Sequence, residues 1–397
     1  MIASNAPSLP RTAPAPAYAG ARDEDDKALL RAAAEITREL GQARPAIYWT
    51  DMLGSAAVGY AALAGAILVP FGWLTALLAV IATLALYRAL LFIHELTHLH
   101  RDALPGFRTA WNLLVGIPML TPSFMYEDGH TIHHSRKRYG TREDPEYLPL
   151  ALMKPWSLPL FVLIALLAPI GLLIRFAVLA PVGLLIPPLR RLNWERFSTL
   201  AINPLFRRRP ADPKDRRRFA WLEAGAALWA MALVAAIVWA GWRPLLVALA
   251  VLSAVAVLNQ LRTLVAHLWE NEGEPMSVTA QYLDTVNVPP PGFFAELWAP
   301  VGLRYHALHH LLPSLPYHAL PEAHRRLAAH EHARETYARA HHRGMAPLVG
   351  RIAGSTMRRP RAGAHGAHAK GAASLETAPV GSSLADGLGG ASPAGRS

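Results

Sequence analysis

The sequence predicts an all-α, polytopic membrane protein with two transmembrane helical hairpins (four spans), one further membrane-embedded segment, and a cytoplasmic helical cap carrying a metal site. Three observations predict this. Hydrophobic residues make up 52% of the 397 positions and charged residues only 17%, a balance that suits lipid better than a set of soluble domains. The apolar residues fall in long uncharged runs. Between the runs, histidines gather into three short clusters: HELTH from His94 to His98, HTIHH from His130 to His134, and HALHH from His306 to His310.

Taken in order, residues 1–46 form an N-terminal arm. Its opening, MIASNAPSLPRTAPAPAYAG, lacks a basic region followed by an apolar core, so it does not read as a secretory signal. Residues 1 to about 25 read as disordered. The membrane domain covers residues 47–345. From Met52 to Tyr87 no residue is charged, and the run is broken only at Pro70, Phe71 and Gly72. At about 1.5 Å of rise per residue, each half just crosses a core of about 30 Å, which gives a hairpin of Met52–Val69 and Trp73–Ile93. A second pair, Ala224–Gly241 and Pro244–Leu261, turns at Gly241-Trp242-Arg243. The stretch Ser157–Ile186 is also apolar, but Arg175 sits in its middle and Pro169, Pro181 and Pro187 divide it, so a shallow or re-entrant pair is expected. Residues 346–397 form a C-terminal tail, which from about Gly354 is Ala, Gly, Ser and Pro with scattered Arg and reads as disordered.

The loop Arg207–Arg218 carries seven Lys or Arg against two Asp. By the positive-inside tendency this loop and both termini are cytoplasmic, in what the Ala- and Arg-rich composition suggests is a bacterial inner membrane. All three histidine clusters fall on the same side. The net charge of +11 therefore points to an anionic lipid surface and not to nucleic acid. The absence of cysteine excludes disulfides, thiolate zinc sites and cysteine-held iron–sulfur centres. Any metal must be held by nitrogen and oxygen.

On a helix, positions i, i+3 and i+4 share a face. His130, His133 and His134 can therefore point together, as can His306, His309 and His310, and His94 and His98 form an i, i+4 pair. Eight neutral imidazoles exceed what one four- to six-coordinate ion can use, so two metals are implied. His267, shortly after the last apolar run in RTLVAH, is a candidate ninth ligand, whereas His100 turns off the face shared by His94 and His98. A lone helical histidine is more often a cap or packing residue than a ligand, but three clusters at repeated spacing on one membrane face reverse that expectation. HELTH alone also fits the zinc-peptidase pattern with Glu95 as base. That chemistry gives no reason for two HxxHH clusters, and neither does a histidine-rich haem or metal carrier.

The clusters resemble the three histidine boxes, HxxxH, HxxHH and HxxHH, of the integral-membrane fatty acid desaturase superfamily. The likeness extends from about Tyr48 to Leu327 and includes the order of the boxes, the hairpins ahead of the first and between the second and third, and the run HALHHLLPSLPYH. It implies a non-haem di-iron centre, two Fe ions held by His94, His98, His130, His133, His134, His306, His309 and His310, with His267 as the added ligand. It also implies O2 as co-substrate and a membrane lipid or acyl substrate. Desaturation of a fatty acyl lipid is the first reading, with lipid or terpenoid hydroxylation, ketolation or epoxidation as the alternative within the superfamily. The His-Pro-Gly-Gly motif of members fused to a cytochrome is absent, so electrons are expected from a separate ferredoxin- or cytochrome-type partner.

Groups that accept the outer N–H of each imidazole should orient the ligands. Glu95, Asp128, Asp144, Glu146, Glu270, Asp284 and Asn287 are near them in sequence. Asp144 in EDPEY and Asp284 with Asn287 in QYLDTVN are the candidates, while Glu146 and Glu270 read as ordinary surface charge.

Overall fold

Helix formation begins where the sequence supplies a cap. In the computed structural model, which describes residues 26–358 except 101 and 293, the Asp26 carboxylate accepts from the N–H groups of Ala28 and Leu29 and starts α1, Lys27–Leu40. The expected disorder of residues 1–25, and of the tail from 359 onward, lies outside the described residues. The principal helices that follow are α2 (Pro45–Leu68), α3 (Trp73–His98), α4 (Glu127–His133), α5 (Ser157–Leu185), α6 (Pro187–Phe197), α7 (Pro213–Ala240), α8 (Trp242–Leu264), α9 (Val278–Asp284), α10 (His306–Leu311), α11 (Leu320–Ala329) and α12 (Met345–Gly354). Among the described residues there is no strand, only isolated bridges such as His267 with Thr285.

The two uncharged runs fold as the expected hairpins. Gly59 lets α2 and α3 close on each other, since a Cβ there would come within 2.7 Å of Leu86 Cδ2. Gly241, at φ 71°, makes the α7–α8 turn in the left-handed region that glycine enters without a steric penalty. Arg243 donates to the Val69 carbonyl and lies 4.3 Å from the Phe71 ring. The turns of both hairpins therefore meet at one end, and the histidine segments gather at the other, the cap end.

Five helices (α2, α3, α5, α7 and α8) are long and apolar enough to cross a membrane. α5 is a single helix rather than a pair divided by its prolines. Pro169 is accommodated in its interior, a π-helical turn at Arg175–Leu179 takes up the irregularity, and Pro181 falls in the first turn of the segment beyond, where a missing N–H costs little. The reversal comes at Ile186, ahead of α6. The chain enters this unit with Leu158 and Phe161 packed in the same cluster as Tyr147. It leaves through Leu200, whose N–H donates to the Met125 carbonyl at 2.8 Å, so both ends lie on the cap side. α6 has 11 residues, roughly 16 Å of rise and about half of a crossing. The α5–α6 unit thus begins and ends on the cap side of the molecule. Arg175 does not face lipid: its guanidinium bonds Ser198 Oγ at 2.9 Å and Glu223 at 2.6 Å and stacks 4.1 Å from the Phe176 ring.

The cap is sealed onto the helices by aromatic edges, with Tyr48 of α2 packed on Phe107 at 5.7 Å and on Tyr317 at 5.0 Å. Order continues beyond residue 346, where a tail was expected to begin. Leu348 and Ile352, one turn apart on α12, are buried with Met357. That short apolar face is hidden in a composition otherwise dominated by small residues.

Candidate metal centre

Four segments bring their imidazoles to one place. α3 ends on His94 and His98, α4 carries His130 and His133 with His134 at its C-cap, α10 carries His306, His309 and His310, and His267 follows α8. The nitrogens sort into two groups, His94, His98, His130, His134 and His309 in one and His133, His267, His306 and His310 in the other, and within each group the ligand atoms all lie within 4.8 Å of one another. The triple claws expected from the HxxHH boxes do not act as units. In each box the i, i+4 pair joins one group and the i+3 residue the other. At 3.6 residues per turn, i+4 lies about 40° to one side of i and i+3 about 60° to the other, so one box reaches two centres.

The geometry inside each group calls for a cation. His134 Nε2 lies 3.0 Å from His130 Nε2, and His309 Nε2 lies 3.1 Å and 3.2 Å from those of His98 and His134. In the second group His306 Nε2 is 3.1 Å from His267 Nε2 and 3.2 Å from His310 Nε2. Three outer nitrogens are engaged elsewhere: His130 Nδ1 with Glu146 at 3.0 Å, His133 Nδ1 with Asp144 at 2.9 Å, and His267 Nδ1 with Tyr139 Oη at 2.9 Å, while His306 Nδ1 has no hydrogen-bond partner. With the protons on these three Nδ1 atoms, the Nε2 lone pairs of His130, His133 and His267 face into the groups, the arrangement a metal ion shared with the neighbouring imidazoles would satisfy. Both ring nitrogens of His94 are buried without a partner. Burial holds His130, His134, His267, His306, His309 and His310 well below the usual imidazole range, the neutral form that ligation requires. His133 moves up, because the Asp144 carboxylate more than offsets the effect of its burial.

Of the expected supporting groups, Asp144 sits on His133 and is itself held by the N–H groups of Gly140 and Glu146. Asp284 acts one residue removed. Its Oδ2 accepts from Tyr139 at 2.8 Å and Tyr147 at 2.7 Å, and Tyr139 in turn meets His267. Asn287 touches no imidazole; its Oδ1 accepts from Leu308 N–H at 3.0 Å and so fixes the start of α10.

Two carboxylates depart from the surface reading. Glu146 is the partner of His130, and burial raises it to about 7; Glu270 pairs with Arg351 at 2.9 Å with its side chain only 7% exposed. His100 is 81% exposed beside Asp102 and belongs to neither group. Glu95 is not free to act as a peptidase base, since its Oε2 accepts from Tyr48 Oη and Tyr317 N–H, while its Oε1 lies 3.8 Å from His94 Nδ1. The tyrosines 126, 139 and 147 carry no signal of their own in the sequence. Only their closeness to box two and to EDPEY could have suggested them.

A cavity of about 320 Å³ opens beside His94 between α3, α5 and α8. Its walls include Ile164, Ala168, Leu172, Leu252 and Val255, and its polar residues include Tyr126, Glu146, Asn259, Gln260 and Arg262.

Long apolar helices and two all-imidazole groups able to hold metal ions, beside a cavity with apolar walls, mark a membrane protein built to bind metal. Residues 71–344 match the fatty acid desaturase family, and the chain belongs to that family of membrane desaturases and hydroxylases. A ceramide hydroxylase of Caulobacter vibrioides is 48% identical over 340 residues, covering 83% of this chain and 94% of the relative.

Proposed function

We propose that the protein is a membrane di-iron oxygenase that hydroxylates a ceramide or a closely similar lipid. The observation that carries this reading is the 48% identity, over nearly the whole length of both chains, with a ceramide hydroxylase; the paired imidazole groups supply the means. Desaturation, ranked first from the boxes, has the family description on its side, but the relative's activity favours the hydroxylase alternative. The reading places the centre on the cytoplasmic face of a bacterial inner membrane.

Iron held by the two groups supplies, with O2, an oxidant able to take hydrogen from an unactivated C–H bond, which side-chain acids and bases cannot do. Overall, one C–H becomes C–OH and the second oxygen atom leaves as water, at the expense of two electrons from a donor and two protons. The chain's own residues do the rest. Neutral imidazoles bind, while Asp144, Glu146 and the Tyr139–Asp284 pair fix which nitrogen faces the centre. The apolar walls hold the lipid chain and keep bulk water away. Arg138, Arg142, Arg207, Arg208 and Arg209 outnumber Asp128, Glu143 and Asp212 in a polar hollow beside Ile132 of box two, a net-basic surface suited to an acidic ferredoxin- or cytochrome-type donor.

The test is turnover of a ceramide by the iron-loaded protein in lipid nanodiscs with a reductant and isotopically labelled dioxygen, followed by mass spectrometry. One labelled oxygen in the product is expected. Loss of two hydrogens without label would return the protein to the desaturases, and an untouched ceramide would remove this substrate class.

A further inference from the structure

Among the groups lining the cavity beside His94, Arg262 is the one for which the metal centre provides no use. It stands near the cap end of α8, its residue is 7% exposed, and it shares the cavity wall with His94 and Glu146. Its hydrogen bonds go to neutral oxygens, Asn259 Oδ1 at 3.3 Å and Thr263 Oγ1 at 3.1 Å on its own helix and the Tyr87 hydroxyl on α3, and its Nε is buried without a hydrogen-bond partner. The other deeply buried arginines of the embedded region and its rim are matched differently: Arg175 has Glu223 and Arg208 has Asp128. No carboxylate makes an ion-pair contact with it, Glu146 acting only from across the cavity, and a guanidinium buried this way is costly. Two metal ions nearby would make it costlier still, since they add positive charge.

We infer that Arg262 binds the polar group of the lipid substrate, a hydrogen-bond-accepting oxygen such as an amide carbonyl, and thereby sets which carbon is oxidised. The placement supports a specific position of attack. Asn259, Gln260, Arg262 and Thr263 are consecutive or nearly so at the cap end of α8, whereas Leu252, Val255 and Ala256 continue the same wall toward the far end. Leu252 to Arg262 spans roughly 15 Å of helix. A lipid lying along this wall has its polar group beside the centre and its tail directed away from it. The carbon presented to the centre is then within a few bonds of the polar group, not in the middle of an acyl chain. This rests on the lipid hydroxylase reading and adds the residue that anchors the substrate and the region of the substrate attacked.

The experiment uses full-length, iron-loaded protein in nanodiscs, with Arg262→Met and Arg262→Lys. Three quantities are measured: iron per chain with the melting temperature, ceramide affinity by tryptophan fluorescence in the absence of reductant, and the position of the new hydroxyl by tandem mass spectrometry. Removing an unpaired buried charge for an apolar side chain of similar size is expected to leave iron content unchanged and the melting temperature equal or higher. Ceramide affinity should fall about ten- to a hundredfold in Arg262→Met, as for the loss of hydrogen bonds to a charged donor, and less in Arg262→Lys. In the wild type the hydroxyl should lie next to or near the amide, and in Arg262→Met it should scatter along the chain. Unchanged affinity and an unchanged hydroxyl position in Arg262→Met would overturn the assignment, as would a loss of iron and stability with affinity intact, which marks a purely structural arginine. If wild-type protein fails to bind or oxidise ceramide but shows Arg262-dependent binding of another carbonyl lipid, the ceramide reading falls and the assignment of Arg262 stands.

Discussion

Asp284→Asn changes one atom and should unseat a ligand two hydrogen bonds away. The Asp284 carboxylate accepts hydrogen bonds from Tyr139 and Tyr147 on Oδ2, at 2.8 Å and 2.7 Å, and from the Glu270 N–H on Oδ1 at 3.0 Å. An amide offers one oxygen and one NH2. If the oxygen faces the tyrosines, the NH2 meets the Glu270 N–H, donor against donor. If the NH2 faces them, Tyr139 must accept, and its own proton turns to His267 Nδ1, 2.9 Å away. The imidazole proton then sits on Nε2, the atom directed at His306 Nε2, and His267 can no longer ligate. The first route costs about 1–3 kcal/mol for a buried unsatisfied donor. The second disturbs a group behind a ligand, which weakens metal binding about 10- to 100-fold, or about 1.4–2.7 kcal/mol. Metal per chain is measured by mass spectrometry after dialysis against graded chelator. Asp284→Asn should lose about half its metal at chelator levels that spare the wild type, because the five-histidine group is untouched, and Tyr139→Phe should shift the same way by less. If both variants keep all their metal to the wild-type chelator midpoint, the Asp284–Tyr139–His267 relay is refuted.

The same titration on Glu146→Gln should show the opposite selectivity, since Glu146 supports His130: the five-histidine group weakens about 10-fold or more and the four-histidine group holds, and loss of both at once would count against separate support. Acid should destabilise the metal-free protein. Six cap histidines are depressed by burial and only His133 is raised, so below the unfolded value of about 6.5 the unfolded chain binds more protons than the folded one and stability is lost as pH falls. Glu146 and Asp284, raised by burial to about 7, act in the reverse sense but are fewer. The melting temperature in detergent should therefore drop between about pH 7 and about pH 5, and a flat profile would mean that the imidazoles are not buried neutral.

What could be seen in the chain in advance was whatever is local. The hairpins are written in uncharged runs and the boxes in fixed spacings, so α2, α3, α7, α8 and nine histidines were legible. What was not legible depends on distant segments. Glu146 looks like surface charge two positions past Asp144, and only the folding of EDPEY back over α4 turns it toward His130. Asn287 is close in sequence to Asp284 but faces the backbone of Leu308. The split of each box between two groups follows from helical angles, yet which residue goes where is settled by the partner helices. Pro169 and Pro181 suggested breaks in α5, while a π-helical turn absorbed the irregularity and left the reversal to Ile186.

The two groups are unequal in more than ligand number. His94, His98, His130 and His134, four of the five members of one group, lie within the first 134 of 397 residues, whereas His133 is the sole early member of the other, whose remaining three are His267, His306 and His310. As the chain leaves the ribosome, one pocket is nearly whole before α8 exists, and its twin is a single side chain. Because ligation energy is also folding energy, metal taken up during synthesis would settle first in the early group, and both groups become complete only when box three brings in His306, His309 and His310. Metal loading would then be tied to assembly, since neither group has all its histidines until the last third of the chain has docked.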